Sequence, residues 1–210
     1  VQAPPGGWWV EDGLYARVYA ASEDADTARR LSLSANAYLP ELSARINLPI
    51  GPMIYIYLAN TQEDFASIQP GHPPDWADGT AWPMQGLVFL RSPHIRPGTA
   101  EPIEQVLHHE LIHILVGRPF GNRFPPRWLQ EGLAGWFSGE MTFEKTQELV
   151  AHTSSNSLFH FSDLERGFPG DALSARLAYA QSADLIGLLA HDLGEARMGD
   201  LVRKMASGES

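Results

Sequence analysis

Three residues in one short stretch have the types and the spacing of a metal-dependent hydrolytic site. His109, Glu110 and His113 form the pattern HExxH. In a helix, residues four positions apart lie one above the other on the same face, so both imidazoles can reach one metal ion. Zinc suits mixed nitrogen and oxygen ligation. Glu110 projects at the edge of that face, where it can act as a general base on water at the metal without being a ligand.

The alternative is a chance pattern, in which two histidines with satisfied hydrogen bonds lie on an ordinary helix. The surrounding residues favour a functional helix, because apolar side chains recur at helical spacing and the histidines fall on a different face. This apolar stripe consists of Ile103, Leu107, Leu111 and Ile114. The helix is predicted to begin at Thr99 or Glu101, with Pro102 in its first turn, and to end at Gly117.

A third ligand is predicted on the next helix, which Pro125 and Pro126 introduce. Glu131 shares a face of that helix with Ala134 and Gly135, and such small side chains allow the carboxylate to approach a neighbouring helix closely. Two histidines and one carboxylate leave the fourth position for water, which is typical of a catalytic zinc site. The alternative for Glu131 is an exposed glutamate that interacts with the helix dipole.

The two helices together resemble the gluzincin metallopeptidases, most closely the small peptidase-MA-like families. The resemblance rests on residues 109–113 (HELIH) followed by residues 128–139 (WLQEGLAGWFSG), and its pattern extends from the first strand to the C-terminal helices. It implies a zinc peptidase in which His109, His113 and Glu131 hold one Zn²⁺ and Glu110 is the base.

The same resemblance implies that a tyrosine downstream of the glutamate ligand donates a hydrogen bond to the developing oxyanion. Tyr179 is the matching position, although it can equally be a core tyrosine with a satisfied hydroxyl. Arg176, about one turn earlier, is a candidate for the same role or for binding a substrate carboxylate. His160 is another possible donor, but His152, His160 and Asp163 occur in or near a polar linker where surface or capping roles are the default.

The strand predicted over residues 86–91 has two interpretations. At the edge of the sheet above the active helix, Gly86 and Val88 would contribute to substrate binding by strand addition. As an interior strand it would have no free edge. The larger aminopeptidases of this clan carry a Gly-rich GxMxN motif on their edge strand, and residues 79–86 (GTAWPMQG) depart from it. This departure favours an endopeptidase over an aminopeptidase.

The remaining elements are expected to frame this site. Hydrophobic periodicity predicts strands over residues 14–21 and 53–59, and helices over 23–46, 63–68, 143–152, 172–193 and 198–210. The first strand, helix and strand suggest a right-handed βαβ-like unit. The predicted fold is α+β and zincin-like, with a small N-terminal mixed sheet with helices, an active-site helix and a mainly helical C-terminal subdomain. One domain is expected over 14–210, divided into an α/β lobe (14–117) and a helical lobe (118–210).

Residues 70–83 are rich in Gly, Pro, Trp and Asp and are long for a simple connection. They predict either a flap beside a cleft or a packed surface loop held by Trp76 and Trp82. His72, in the same segment, is expected to be solvated.

Composition excludes several classes of protein. The 210 residues, 44% of them hydrophobic, suffice for one sizeable core or two small lobes that share a cleft. A net charge of −10 without a basic run argues against nucleic acid or an anionic membrane as the main partner, and a peptide or protein substrate is expected instead. The absence of cysteine excludes disulfides and thiolate metal ligands. No apolar run approaches the length of a membrane span.

Residues 1–13 are interpreted as a linker or as the trimmed end of a longer precursor, because the chain begins with VQAPPGG rather than Met. This interpretation favours an extracytoplasmic or secreted protein. Two other functions stay open, namely a zinc-containing binding or scaffold module that does not turn over, and a self-processing enzyme that a missing N-terminal region inhibits. Glu110 argues against the scaffold, because a purely structural site does not need that residue.

Overall fold

A mixed β-sheet and a set of helices make up the described part of the chain, which in this computed structural model comprises residues 6–71, 77–96, 101–155 and 157–208. The strands are β1 (Trp9–Glu11), β2 (Ala16–Ala20), β3 (Ile54–Ala59), β4 (Gly79–Trp82) and β5 (Leu87–Arg91). The helices are α1 (Ala25–Ile46), α2 (Gln62–Ser67), α3 (Ile103–Gly117), α4 (Arg127–Phe137), α5 (Phe143–Ser154), α6 (Phe161–Arg166), α7 (Ala172–Leu193) and α8 (Arg197–Ser207). This arrangement confirms the predicted α+β fold. None of the described helices combines the length and the apolar character needed to cross a membrane.

The strand order is β1-β2-β3-β5-β4. Strands β2, β3 and β5 are parallel, whereas β1 and β4 pair antiparallel at the two edges. The succession β2-α1-β3 is the predicted βαβ unit. Inward-facing residues such as Val18, Ile56 and Val88 are fully buried in the core shared with α1 and α3. One face of the sheet therefore packs against α3, the helix with the HExxH pattern.

The structure corrects the prediction for residues 70–83. Gly79–Trp82 form β4, an edge strand that the sequence interpretation missed. Trp82 packs against a small apolar cluster that includes Phe65 and Phe89, so this part of the segment is a packed strand and not a flap. His72 and Trp76 lie outside the described residues, as does Thr99 before α3.

The helical half is held together by a close contact between α4 and α7. A Cβ atom on Gly132 would lie 2.6 Å from the backbone oxygen of Ser182, so only glycine permits this approach. Helix α6 was missed in the sequence, where its residues were assigned to a polar linker. Its Phe161 contacts Trp128 of α4 edge to face, with ring centroids 5.1 Å apart, and Leu164 is buried.

Candidate metal centre

Helix α3 presents its apolar stripe to the core and both histidines of the HExxH pattern to Glu131 of α4. The four residues of the predicted stripe are buried. The imidazole rings of His109 and His113 have centroids 4.7 Å apart, and 19% and 14% of the two side chains remain exposed. The helix itself begins at Ile103, with Pro102 directly before it.

Glu131 of α4 completes a set of three potential ligands. Its Oε2 atom lies 3.6 Å from Nε2 of His109 and 3.6 Å from Nε2 of His113. Ligands about 2.1 Å from a tetrahedral ion are separated by about 3.4 Å, so these spacings fit one zinc ion. Within the described part of the chain, this is the one group of three or more His, Asp and Glu side chains that could hold a metal.

Small residues on α4 were predicted to bring Glu131 close to a neighbouring helix. The helix that they contact is α7, and not α3 with its two histidines. A Cβ atom on Gly135 would lie 3.1 Å from the Cβ atom of Ala183, and Gly132 makes the closer approach described above. Ala134 is buried. The small residues of α4 therefore pack against α7 and not against α3. This packing determines where along α3 the carboxylate of Glu131 lies.

Glu140 is a site residue that the sequence analysis did not identify. Its Oε1 lies 2.6 Å from Nδ1 of His109 and accepts a hydrogen bond of 3.0 Å from the Ser138 hydroxyl. A carboxylate on the far nitrogen of a metal-binding imidazole fixes the ring and its tautomer, leaving Nε2 free for the metal. Glu140 follows the end of α4, where Gly139 has a positive φ of 80° and turns the chain back. Glu140 lies beyond the end of α4, so helical spacing from Glu131 could not have predicted its position.

The protonation states of the three potential ligands follow from burial and from each other. Burial lowers the pKa of His113 to about 4, so this imidazole is neutral and able to bind a metal. Burial also acts to lower the pKa of His109, but the carboxylates of Glu131 and Glu140 outweigh it and raise that pKa well above its usual value. Burial acts to raise the pKa of Glu131, but His113, His109 and the guanidinium of Arg127 outweigh it, and the net pKa is lowered. Metal binding must therefore displace a proton from His109.

Nδ1 of His113 is buried and has no hydrogen-bond partner among the described residues. The chemistry of the donor set, with one neutral imidazole, one imidazole oriented by a carboxylate and one ionised carboxylate, fits Zn²⁺.

Glu110 lies beside the three potential ligands and next to β4. Only 6% of the residue is exposed. Burial raises the pKa of its carboxyl to about 7, with a further increase from Glu131 and Glu140 and an opposing effect of His109. A Cβ atom on Gly79 would lie 2.8 Å from both Cγ and Oε1 of Glu110, so β4 touches this side chain closely. A carboxylate with a pKa near neutrality is suited to move protons.

His108, adjacent to the first potential ligand, fixes α3 relative to α1. Its ring stacks on Tyr38 with centroids 3.8 Å apart, and its Nε2 lies 2.8 Å from the hydroxyl of Ser34. The Tyr38 hydroxyl in turn donates a hydrogen bond to the carbonyl oxygen of Phe137 at the end of α4. One buried tyrosine thus links the two helices that present the potential ligands.

Tyr179 of α7 lies near Glu131 and Glu110. Burial raises the pKa of its hydroxyl, nearby Glu131 and Glu110 contribute in the same direction, and Arg127 opposes them. The hydroxyl oxygen accepts a hydrogen bond of 2.9 Å from Nη2 of Arg127. The hydroxyl of Tyr179 is therefore bonded to a surface cation, and not to a group of the core as the alternative interpretation expected.

Of the two interpretations of the strand over residues 86–91, the structure shows the interior one, so the free edge that would let Gly86 and Val88 bind substrate is absent. β5 pairs with β3 on one side and β4 on the other, so it is an interior strand, and Val88 is fully buried. Gly86 accepts a hydrogen bond from the Tyr55 amide and donates one to the Pro83 carbonyl. The free edge next to the active helix belongs to β4.

Other predicted residues lie at the surface. Arg176 is exposed on α7 and pairs with no described side chain. His152 contacts the hydroxyl of Ser157, His160 is exposed immediately before α6, and Asp163 forms an ion pair with Arg166. These contacts agree with the surface and capping roles taken as the default.

One protein-family model, described as the peptidase MA superfamily, matches residues 37–210. The match spans most of the chain and includes α3, α4 and α7. Comparison with curated proteins gives no significant match.

Proposed function

Because the chain belongs to the peptidase MA superfamily, we propose that it is a zinc-dependent peptidase in which His109, His113 and Glu131 hold the metal and Glu110 is the general base. The proposal rests on three potential ligand atoms that all lie within 4.8 Å of one another. The buried carboxylate of Glu110 lies beside them and is not needed to bind the metal. A structural site requires ligands only, whereas a hydrolytic site also requires a group that moves protons.

A zinc ion held by His109, His113 and Glu131 would lower the pKa of the attacking water and polarise the scissile carbonyl. Glu110 takes the proton of that water and passes it to the leaving amine. Burial raises the pKa of Glu110 in the metal-free protein, so its surroundings favour proton uptake, as a general base requires. Tyr179 donates a hydrogen bond to the carbonyl oxygen as negative charge develops there. Glu140 holds the His109 ring in place.

The free edge of β4 is the proposed binding surface for the substrate backbone. β4 pairs with β5 along one side, and no described strand pairs with its other side. An extended peptide can add to such an edge through main-chain hydrogen bonds. Gly79 brings this edge into contact with Glu110, so a peptide held there would place a carbonyl within reach of the base. An endopeptidase is proposed, because residues 79–86 depart from the motif that binds a substrate amino terminus in the larger aminopeptidases.

Hydrolysis of a casein-type substrate tests the function directly. The zinc-loaded protein is expected to cleave it, a chelator is expected to stop cleavage, and added zinc is expected to restore it. Peptide products are measured by mass spectrometry, which also reports whether cleavage is internal. Stoichiometric zinc without turnover would identify the scaffold module in place of the peptidase.

Substituting Gly79 with alanine tests the contact between β4 and the base. The added Cβ would lie 2.8 Å from Glu110 and 2.9 Å from Cγ1 of Val106, so the carboxylate must move. We expect kcat to fall by about 10- to 100-fold, because small displacements of a reacting group are costly, while zinc content stays unchanged.

Gly170→Ala is the matched control, because a Cβ atom there meets no atom within 4 Å. Kinetics and metal analysis of both variants check this prediction. An unchanged kcat in Gly79→Ala would contradict the proposed position of the base.

A further inference from the structure

Arg127 occupies an unusual position for a cation. It is the first residue of α4, and it lies one helical turn before Glu131 on the same side of the helix. Cations are disfavoured near a helix N-terminus, where the peptide dipoles concentrate positive charge. Arg127 forms no direct ion pair with a described carboxylate, although its charge lies near enough to Glu131 to lower the pKa of that carboxyl. Residues that break a local preference are often functional.

The contacts of Arg127 are made with two aromatic rings. Its guanidinium carbon lies 4.9 Å from the centroid of Phe168 and 5.7 Å from that of Tyr179. These two rings meet edge to face, with centroids 5.0 Å apart and an angle of 88°. Cation–π contacts of this kind hold a guanidinium in one place without using its hydrogen-bond donors.

The hydrogen bond between Arg127 and Tyr179 has a fixed direction. A guanidinium can only donate, so Nη2 donates and the Tyr179 oxygen accepts across 2.9 Å. The hydroxyl hydrogen of Tyr179 is then available for another acceptor, and no described residue accepts it. Arg127 therefore leaves the Tyr179 hydroxyl free to donate a hydrogen bond near Glu131 and Glu110.

We propose that Arg127 is a positioning residue that acts through Tyr179, and this inference rests on the proposed function. The guanidinium holds the hydroxyl oxygen so that its hydrogen points to the oxygen of the scissile carbonyl. As negative charge develops on that oxygen, the chain from guanidinium to hydroxyl to oxygen strengthens, because successive hydrogen bonds polarise one another. Such prepositioned donors stabilise a transition state more than a ground state.

A double-mutant cycle on kcat tests the pair. Tyr179→Phe is expected to lower kcat by about 100-fold, and Arg127→Met by about 10-fold, with KM within about twofold of wild type in both. The double variant is expected to match Tyr179→Phe, because Arg127 has no effect once the hydroxyl is gone. Arg127→Lys is expected to restore part of the loss. Arg123→Met, which removes an exposed cation four residues earlier, serves as the control with unchanged kinetics.

A second measurement needs no metal and no turnover. With tyrosine labelled at ¹³Cζ, the resonance of Tyr179 in the metal-free protein is identified by its loss in Tyr179→Phe. Arg127→Met is expected to move this resonance, whereas Arg123→Met is expected to leave it in place. A resonance that does not respond to Arg127→Met would overturn the proposal.

The kinetic outcomes separate the alternatives. If the losses from Arg127→Met and Tyr179→Phe multiply, or if Arg127→Met raises KM for acidic peptides with kcat unchanged, Arg127 contacts the substrate itself and the proposal is wrong. A zinc-loaded wild-type protein that hydrolyses no peptide would overturn the proposed function, and with it this one. Multiplied losses in an active enzyme would overturn the role of Arg127 alone.

Discussion

Replacing Glu110 with glutamine is expected to abolish peptide hydrolysis while leaving one zinc bound per chain. Glutamine has the shape of glutamate but cannot accept the proton of the attacking water. General base catalysis of this kind contributes roughly 10²- to 10⁴-fold, so we expect kcat/KM to fall by about 10³-fold. Zinc is retained because His109, His113 and Glu131 do not include this residue. Peptide kinetics and metal analysis of the purified variant check both halves of the prediction.

Glu104→Gln is the matched control for this substitution. Glu104 lies on the same helix, but it is partly exposed and pairs with Arg30 at the surface. Its substitution is expected to change kcat/KM by less than about twofold, because surface ion pairs contribute little. Substantial activity in Glu110→Gln would exclude Glu110 as the base. Loss of zinc in the same variant would show that the carboxylate supports the metal instead.

The raised pKa of Glu110 adds a measurement that is independent of activity. Because burial raises this pKa to about 7 in the folded metal-free protein, above the usual value of about 4.5, the folded state binds the proton more tightly than the unfolded state. Stability of wild type relative to Glu110→Gln therefore falls as the pH rises from about 4.5 to about 7. We expect metal-free Glu110→Gln to have a higher Tm than wild type at pH 8, and the difference to vanish near pH 4. Thermal unfolding of both proteins at several pH values measures the sign of this difference in Tm.

The potential ligands could be predicted from the sequence because local spacing determines their geometry. Residues 109 and 113 face the same way in any helix. Glu131 is recognised by its place in a second helix beside small residues. The buried apolar stripe of α3 was predicted by the same periodicity. The common face of the histidines and the apolar stripe need only the pitch of a helix, whereas the meeting of Glu131 with the histidines also depends on how α4 packs against α3 and α7.

The remaining site residues depend on contacts that no local pattern encodes. Glu140 reaches His109 because the chain turns back after α4, and Arg127 meets Tyr179 across 52 positions in the sequence. The order of strands was also hidden, so the sequence left open whether residues 86–91 form an edge or an interior strand, and β4 was not predicted. One signal did favour the interior position, because Leu87 to Leu90 form a continuous apolar run of the kind typical of a strand buried on both faces.

Substituting Glu131 and Glu140 separately is expected to weaken zinc binding to very different extents. Glu131→Gln removes a charged oxygen ligand that lies 3.6 Å from each histidine nitrogen, so tight binding should be lost. Glu140→Gln keeps all three ligand atoms and weakens the hydrogen bond that orients His109, and such changes cost about 10- to 100-fold in affinity. Zinc affinity is measured by competition with a chelator of known affinity. Glu165→Gln, at an exposed position on α6, is the control.

Proton release distinguishes the two carboxylates further. His109 is protonated in the metal-free protein because Glu131 and Glu140 raise its pKa, so zinc binding at pH 8, where Glu110 is mostly ionised, should release about one proton. Calorimetry in buffers of different ionisation enthalpy measures this number. Glu140→Gln lowers the pKa of His109 and should reduce the release while zinc still binds. Equal losses of affinity in the two variants would contradict the assignment of Glu131 as the ligand, since one carboxylate would then be no closer to the metal than the other.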